Sequence, residues 1–413
     1  MSSAPRTAPA AARWDGHPKG SPGYRRLIAA LACAGVATFA QLYSTQALLP
    51  RLSADLAVDP ARAALTVSLA TIGLAVAVLP WSFVADRIGR VAAMRAGILA
   101  ATVMGLAGPL APTFEALLTL RFLEGAALGS VPAIAVAYLS EEVSRGHAAM
   151  AAGTYIAGTT VGGLAGRLVA GPLADVLGWR LAVLAVSVLG AGAAVAFVAL
   201  APKSRGFSPA PRAPGGLRGA AGAVARRLGA QLRSGRLVML YTQAFLLMGS
   251  FVAVYNYLGF RLEAGPFWLP ASLASLAFLA YLSGTFSSGY AARLSLRFGR
   301  RTVVVASTAA MAAGAVVMLA DWLPVVLAGL LVFTAGFFAA HGIASGWTGA
   351  IAASGRAQAA SLYNLGYYGG SSVLGWAGGL VFHVWGWGAL ALSVAAIALT
   401  TAAASWVVHH SER

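Results

Sequence analysis

Apolar stretches of about twenty residues, separated by short polar turns, fill this chain almost from end to end. They run near 27–49, 62–83, 92–112, 115–139, 147–173, 181–201, 237–260, 269–292, 301–320, 322–345, 356–382 and 387–408. A bilayer core of ~30 Å takes about 20 apolar residues per spanning helix, so each stretch predicts one transmembrane helix. The wide break at 202–236 contains eight Lys and Arg, several Pro and Gly, and no acid. It predicts a basic linker between two bundles. Its front, Pro202 to Gly222, reads as a flexible tether, and its rear, Ala223 to Arg236, suits a short basic helix on an anionic membrane surface.

The same polar turn occurs twice. Arg87, Gly89 and Arg90 align with Arg297, Gly299 and Arg300 at an offset of 210. Gly171, Gly178 and Trp179 recur as Gly379, Gly386 and Trp387, 208 positions on. Two nearly equal offsets at different points mean one membrane unit used twice, the build of a carrier whose halves rock about a central site. The predicted fold is an all-α membrane protein with twelve transmembrane helices in two pseudo-symmetric six-helix bundles. The expected divisions are a disordered tail over 1–24, a bundle over 25–201, the linker over 202–236, a second bundle over 237–408 and a tail over 409–413.

Composition agrees. Hydrophobic residues make up 59% of the 413 and charged residues 10%, against roughly 25% charged in an average soluble domain. The net charge of +17 raises nucleic acid as a partner, but the distribution argues otherwise. With the first tail cytoplasmic, 23 of the 29 Lys and Arg lie in the tails and even-to-odd loops. Arg51, Arg62, Arg180 and Arg261 fall on the other side, and Arg121 and Arg167 lie within spans. This is the positive-inside pattern; it puts both termini in the cytoplasm and leaves no basic surface with interleaved aromatics. The first span reads as an uncleaved anchor. Cys33 is the only cysteine, so no intramolecular disulfide or thiolate metal site exists.

The turn Ser82-Phe-Val-Ala-Asp86-Arg87-Ile-Gly89-Arg90 resembles the signature of the major facilitator superfamily between helices 2 and 3, with Ser82, Val84 and Val91 departing from it. The resemblance covers essentially the whole chain. Gln46 to Pro50, Tyr255 to Arg261, His341 and Tyr363-Asn364 with Tyr367-Tyr368 are similar to the YnfM-type bacterial permeases, often grouped with sugar- and drug-efflux carriers. Asp86 can pair with Arg90 or cap a neighbouring helix, which makes Asp86, Arg87, Gly89, Arg90, Arg297, Gly299 and Arg300 candidates for a latch between conformations. The second copy has Leu296 where the first has the acid.

Two charges sit inside span 4. Arg121 and Glu124, at i and i+3, share a helix face and can neutralise each other. A charge at mid-bilayer costs ~2.5–3.5 kcal/mol even on the lenient scale, so the pair needs a purpose. The family's helix 4 motif has an Arg tied to proton coupling; here a titratable Glu follows it, and Arg121, Glu124 and His341 are the candidate coupling residues. In span 5, Gly158-Thr-Thr-Val-Gly162-Gly163-Leu-Ala-Gly166-Arg167 resembles the antiporter motif, with Gly163 for Pro and Arg167 for the last Gly. Arg167 stands as a ligand for an anionic substrate, a partner of Glu124, or a snorkelling residue.

In the fold that the chain resembles, Gln41, Tyr43, Gln46, Tyr155, Gln243, Tyr255, Asn256, Tyr281, Tyr363, Asn364 and Tyr367 join Arg167 along a central cavity. Hydroxyl and amide groups on aromatic walls suit a polyol or an amphipathic aromatic molecule. No phosphate-binding loop, catalytic set or metal-binding histidine pair occurs, so the chain reads as neither an enzyme nor an ATP-driven pump, and without cofactors. The resulting expectation is a monomeric, proton-coupled exporter of a sugar or drug-like compound in the bacterial inner membrane. Import with protons and a non-transporting sensor are the alternatives.

Overall fold

The structure, a computed structural model, describes residues 14–207, 222, 226, 228–352 and 355–409. Residues 1–13, 208–221 and 410–413 of the expected tails and linker therefore lie outside it, as do 223–225 and 227. Among the described residues, ten continuous helical runs are long and apolar enough to cross a membrane. Two of them, Ala148–Leu200 and Arg356–Val408, each hold two helices joined at a glycine bend. Twelve spanning helices result.

We number these α1 (Pro22–Leu42), α2 (Pro60–Ile88), α3 (Arg90–Ala107), α4 (Phe114–Glu142), α5 and α6 (148–177 and 179–200), α7 (Gly235–Glu263), α8 (Tyr281–Phe298), α9 (Arg300–Val317), α10 (Leu323–Ile351), and α11 and α12 (356–385 and 387–408). The starts are chemically marked. Ser21, Asp59, Thr113 and Ser234 each accept a bond from a first-turn N–H of α1, α2, α4 and α7, satisfying donors that the helix leaves unpaired.

The internal duplication appears in the backbone. Gly89 and Gly299 both have positive φ (95° and 82°) with ψ of 154° and 151°. Gly178 and Gly386 pair likewise, with φ of 76° and 75°. An L side chain is strained there, so the two repeated motifs are repeated bends. Trp179 and Trp387 beside the second pair also act alike: the Trp179 indole donates to Asp55 (2.6 Å) and the Trp387 indole to the carbonyl of Met318 (2.9 Å).

Glycines spaced by four set the helix pairs. A Cβ on Gly158, Gly162 or Gly166 of α5 would strike the backbone of Ala32, Val36 or Ala40 of α1 at 2.6–2.8 Å. A Cβ on Gly366 or Gly370 of α11 would meet the backbone of Tyr241 at 2.7 Å or of Phe245 at 1.9 Å on α7. The antiporter-like motif of α5 is thus the packing face against α1. Across the halves, α2 meets α11 and α5 meets the segment just before α8. Beyond Tyr281, α8 diverges from α5.

Candidate substrate-binding site

Two helices lose regular structure at the same level. α1 stops at Leu42 and resumes through a short 3-10 turn (Gln46–Leu48) into a small helix, Leu49–Asp55. α8 is preceded by the four-residue helix Ala271–Ala274 and a 3-10 stretch, Ser275–Ala280. Backbone that leaves the α-helix inside a membrane needs protein partners or a cavity, and discontinuous helices commonly build carrier sites.

Arg121 supplies one set of partners. Its guanidinium donates to the carbonyls of Gln41 (3.0 Å), Leu42 (2.6 Å) and Thr66 (2.9 Å), and Nη1 meets Glu124 Oε2 at 2.6 Å. Gln41 and Leu42 end α1, where carbonyls lack intrahelical donors. Arg121 therefore caps the broken helix, and Glu124 neutralises it; both are 2% exposed. Gln41 itself turns away from the cavity. Its amide donates to Ala37 and packs against Gly105 and Gly190 within the first bundle, which places it apart from the lining expected for it.

Arg167 occupies the centre between the halves. Nε donates to Gln46 Oε1 (2.8 Å), Nη1 to the Gly163 carbonyl (2.7 Å) and Nη2 to the Tyr281 hydroxyl (3.4 Å). Its planar head lies over the rings of Tyr43 (4.3 Å), Tyr281 (4.9 Å) and Phe278 (5.0 Å), contacts worth about 0.5–2 kcal/mol each. Glu124 is not its partner, since Arg121 holds that acid. Nor is it a snorkelling residue: it is 2% exposed. Gln46 continues across the halves to Asn256 (2.7 Å), which donates to the Gly375 carbonyl.

Beside Arg167 lies a cavity of about 110 Å³ lined by Phe39, Tyr43, Thr159, Thr160, Met248 and Phe251, with Tyr281, Phe338 and Tyr367 closing it. Of these, Tyr43, Tyr281 and Tyr367 were legible in the sequence. The Phe and Met walls were not, because an apolar residue in a span carries no local mark of facing a cavity. Tyr255 backs the site by stacking on Phe278 and bonding Thr334 (2.7 Å). His341 Nδ1 pairs with the Tyr363 hydroxyl at 2.9 Å and its ring lies against Tyr367. His341 thus adjoins the cavity from the second half, while Arg121 and Glu124 lie in the first; the three coupling candidates do not form one cluster. Tyr155 and Gln243 are buried without hydrogen-bond partners for their side chains. Asn364 lies apart, exposed in a cleft between α2 and α11 with Val78, Leu362 and Tyr368. A larger groove of about 400 Å³ between α8, α9 and α10 is almost wholly apolar, with Phe298 and Val332 exposed on it, a face suited to lipid.

The two ends of the molecule differ. At one, Arg51 pairs with Asp175 (2.9 Å) and Glu263 (3.8 Å), and Asp175 accepts from the N–H groups of Ala271 and Ser272 (3.2 and 2.8 Å). This ties α1, α5, α7 and the start of the α8 region together. The four arginines that break the positive-inside pattern are all engaged here: Arg62 with Glu115, Arg261 with Asp321, and Arg180 with the Pro109 and Ala111 carbonyls. At the other end Arg90 joins Asp86 (2.5 Å) to Glu141 of α4 (2.8 Å), under the Phe207 ring. These partners all belong to the first half and its linker. Arg87 is exposed, as are Arg297, Gly299 and Arg300 of the second copy; Arg297 lies over Phe298. Trp14 to His17 and Arg205 to Phe207 pack on this surface too, with Glu142 accepting the N–H groups of Arg205 and Gly206, so packed chain extends into both the expected tail and the expected tether.

Residues 31–288 match the model of the Major Facilitator Superfamily. The chain belongs to the major facilitator superfamily. An uncharacterized MFS-type transporter of Bacillus subtilis, YybF, is 37% identical over 369 residues, covering 89% of this chain and 90% of that protein. The inner membrane transport protein YnfM of Escherichia coli is 37% identical over 377 residues, covering 91% and 89%. Among solved structures, the nucleoside transporter NupG superposes with a TM-score of 0.71 over 94% of this chain and all of its own, at 15% identity. The E. coli xylose transporter XylE gives 0.71 over 94% and 98%, again at 15% identity. This superfamily member is a multi-pass membrane transporter of a small molecule, with the expected twelve-helix fold, and not an enzyme.

Proposed function

We propose that this protein is a proton-coupled secondary transporter of the bacterial inner membrane, exporting a small organic molecule by alternating access as a monomer. The observation that carries the reading is the buried Arg121–Glu124 pair clamped to the broken end of α1 beside the cavity. A titratable acid there can exchange a proton only when the break moves, which ties protonation to the shape of the site. The basic 86–90 loop is taken as cytoplasmic. The charge cluster of Arg51, Asp175 and Glu263 then closes the periplasmic end, and the conformation is inward-facing. Asp86, Arg90 and Glu141 serve as a latch that, in this conformation, is satisfied within the first half. Between the sugar and drug-like alternatives, the Phe, Tyr and Met walls favour an amphipathic compound.

Purified protein in liposomes with an imposed pH gradient tests this. Substrate efflux accelerated by inward proton flow is the expected result. Influx driven by the same gradient would reverse the direction, and movement indifferent to the gradient would remove the coupling.

A further inference from the structure

We infer that the molecule carried is a small organic monoanion with one ring, its negative group held by Arg167. The inference rests on reading the Arg167 cavity as the substrate site and names what that site takes.

The charges argue for it. Arg121 has its acid in Glu124, but among the described residues Arg167 has no carboxylate within ion-pair distance; Gln46, Gly163 and Tyr281, its hydrogen-bond partners, are neutral. Among the described residues, no Asp or Glu lines the cavity. A buried cation without a counter-charge is costly, and three aromatic faces hold it in place without neutralising it. A guanidinium has five N–H donors. Three are used, which leaves one on each terminal nitrogen for the oxygens of a bound anion. A neutral sugar would leave the charge unmatched, and an organic cation would meet a like charge.

The walls set the body of the ligand. An enclosed cavity of ~150 Å³ takes a benzene ring. This one, about 110 Å³ and only partly enclosed, takes at most one ring, lying between Phe39, Phe251 and Phe338 with its edge toward the open side. The hydroxyls of Thr159 and Thr160 donate to the Ile156 carbonyl and keep acceptor capacity for a ring hydroxyl.

The test uses matched pairs differing in charge alone: benzoate against benzamide, and 4-hydroxybenzoate against 4-hydroxybenzamide. Binding to the purified full-length protein is read by intrinsic fluorescence at neutral pH, and counterflow of the labelled acid is read in proteoliposomes without a pH gradient. At least tenfold tighter binding of the carboxylates is expected, falling away as pH drops through the acids' own pKa near 4. Arg167→Met should weaken carboxylate binding at least tenfold, and Arg167→Lys should retain part of the preference. Equal or tighter binding of the amides, binding of neither member of either pair, or a charge preference unchanged in Arg167→Met would each overturn the inference. Counterflow needs no proton gradient, so loss of coupling in the earlier experiment leaves this result intact.

Discussion

Glu124→Gln keeps the size of the side chain and removes its charge. In the native arrangement Arg121 and Glu124 meet at 2.6 Å, each 2% exposed. Removing one partner of a buried pair costs about 3–5 kcal/mol. The carbonyls of Gln41, Leu42 and Thr66 still face Arg121 at 2.6–3.0 Å and offset part of that, so a loss of about 2–4 kcal/mol is expected. Arg121→Met should be worse. It strips the Leu42 carbonyl of its donor, about 1–3 kcal/mol if left unsatisfied, takes a second donor from Gln41 and Thr66, whose carbonyls keep backbone donors, and strands the acid as well. Thermal denaturation in detergent, followed by loss of the monodisperse chromatographic peak, should order the proteins wild type, Glu124→Gln, Arg121→Met. In proteoliposomes Glu124→Gln should lose its response to a pH gradient while still exchanging substrate. A Glu124→Gln protein as stable as wild type, with Arg121→Met no worse, would refute the capping argument; a full pH-gradient response in Glu124→Gln would refute the coupling.

Other expectations follow from single contacts. Asp175→Ala removes the Arg51 bridge and two backbone bonds; a loss of ~1.4 kcal/mol, tenfold in an equilibrium, should open the closed end, raising at least several-fold the labelling rate of a cysteine at Gly259, which faces Pro50; an unchanged rate would count against the gate. Gly178→Ala meets no atom within 4 Å, so its expected cost of about 1–3 kcal/mol is purely backbone strain, whereas Gly192→Ala, equally open but within regular helix, should be neutral or stabilising; equal thermal midpoints for the two would contradict this. Gly162→Leu should separate α1 from α5, since even a Cβ lies 2.6 Å from Val36 Cα, and should lower the yield of monodisperse protein. Asp86→Asn leaves Arg90 with Glu141, so transport should slow while stability changes little; a normal rate would remove the latch.

What the sequence determined by itself was whatever repeats or persists along the chain. Apolar length marks a spanning helix wherever it occurs, so the twelve spans were legible, and the two glycine pairs disclosed the duplication before their matching bends were seen. Capping at Ser21, Asp59, Thr113 and Ser234 is equally local. Direction around a helix was not legible, because successive residues turn by about 100° and in a membrane both lipid and neighbouring helices are apolar. Gln41 therefore belongs to the packing of α3 and α6, whereas Tyr43 faces the cavity. The break in α1 was hidden as well, since 43–48 holds no Pro or Gly and its polar Ser44, Thr45 and Gln46 read equally as part of a continuous helix. Without that break the capping role of Arg121 was invisible, and only its pairing with Glu124 and its candidacy for coupling could be read. Tertiary structure decided the partners of every charge that lies far from its mate. Arg51 finds Asp175 124 residues away and Glu263 farther still, and Arg167 finds three rings and, among the described residues, no acid. A charge's role depends on the field at its site, and that field is assembled from helices distant in the chain.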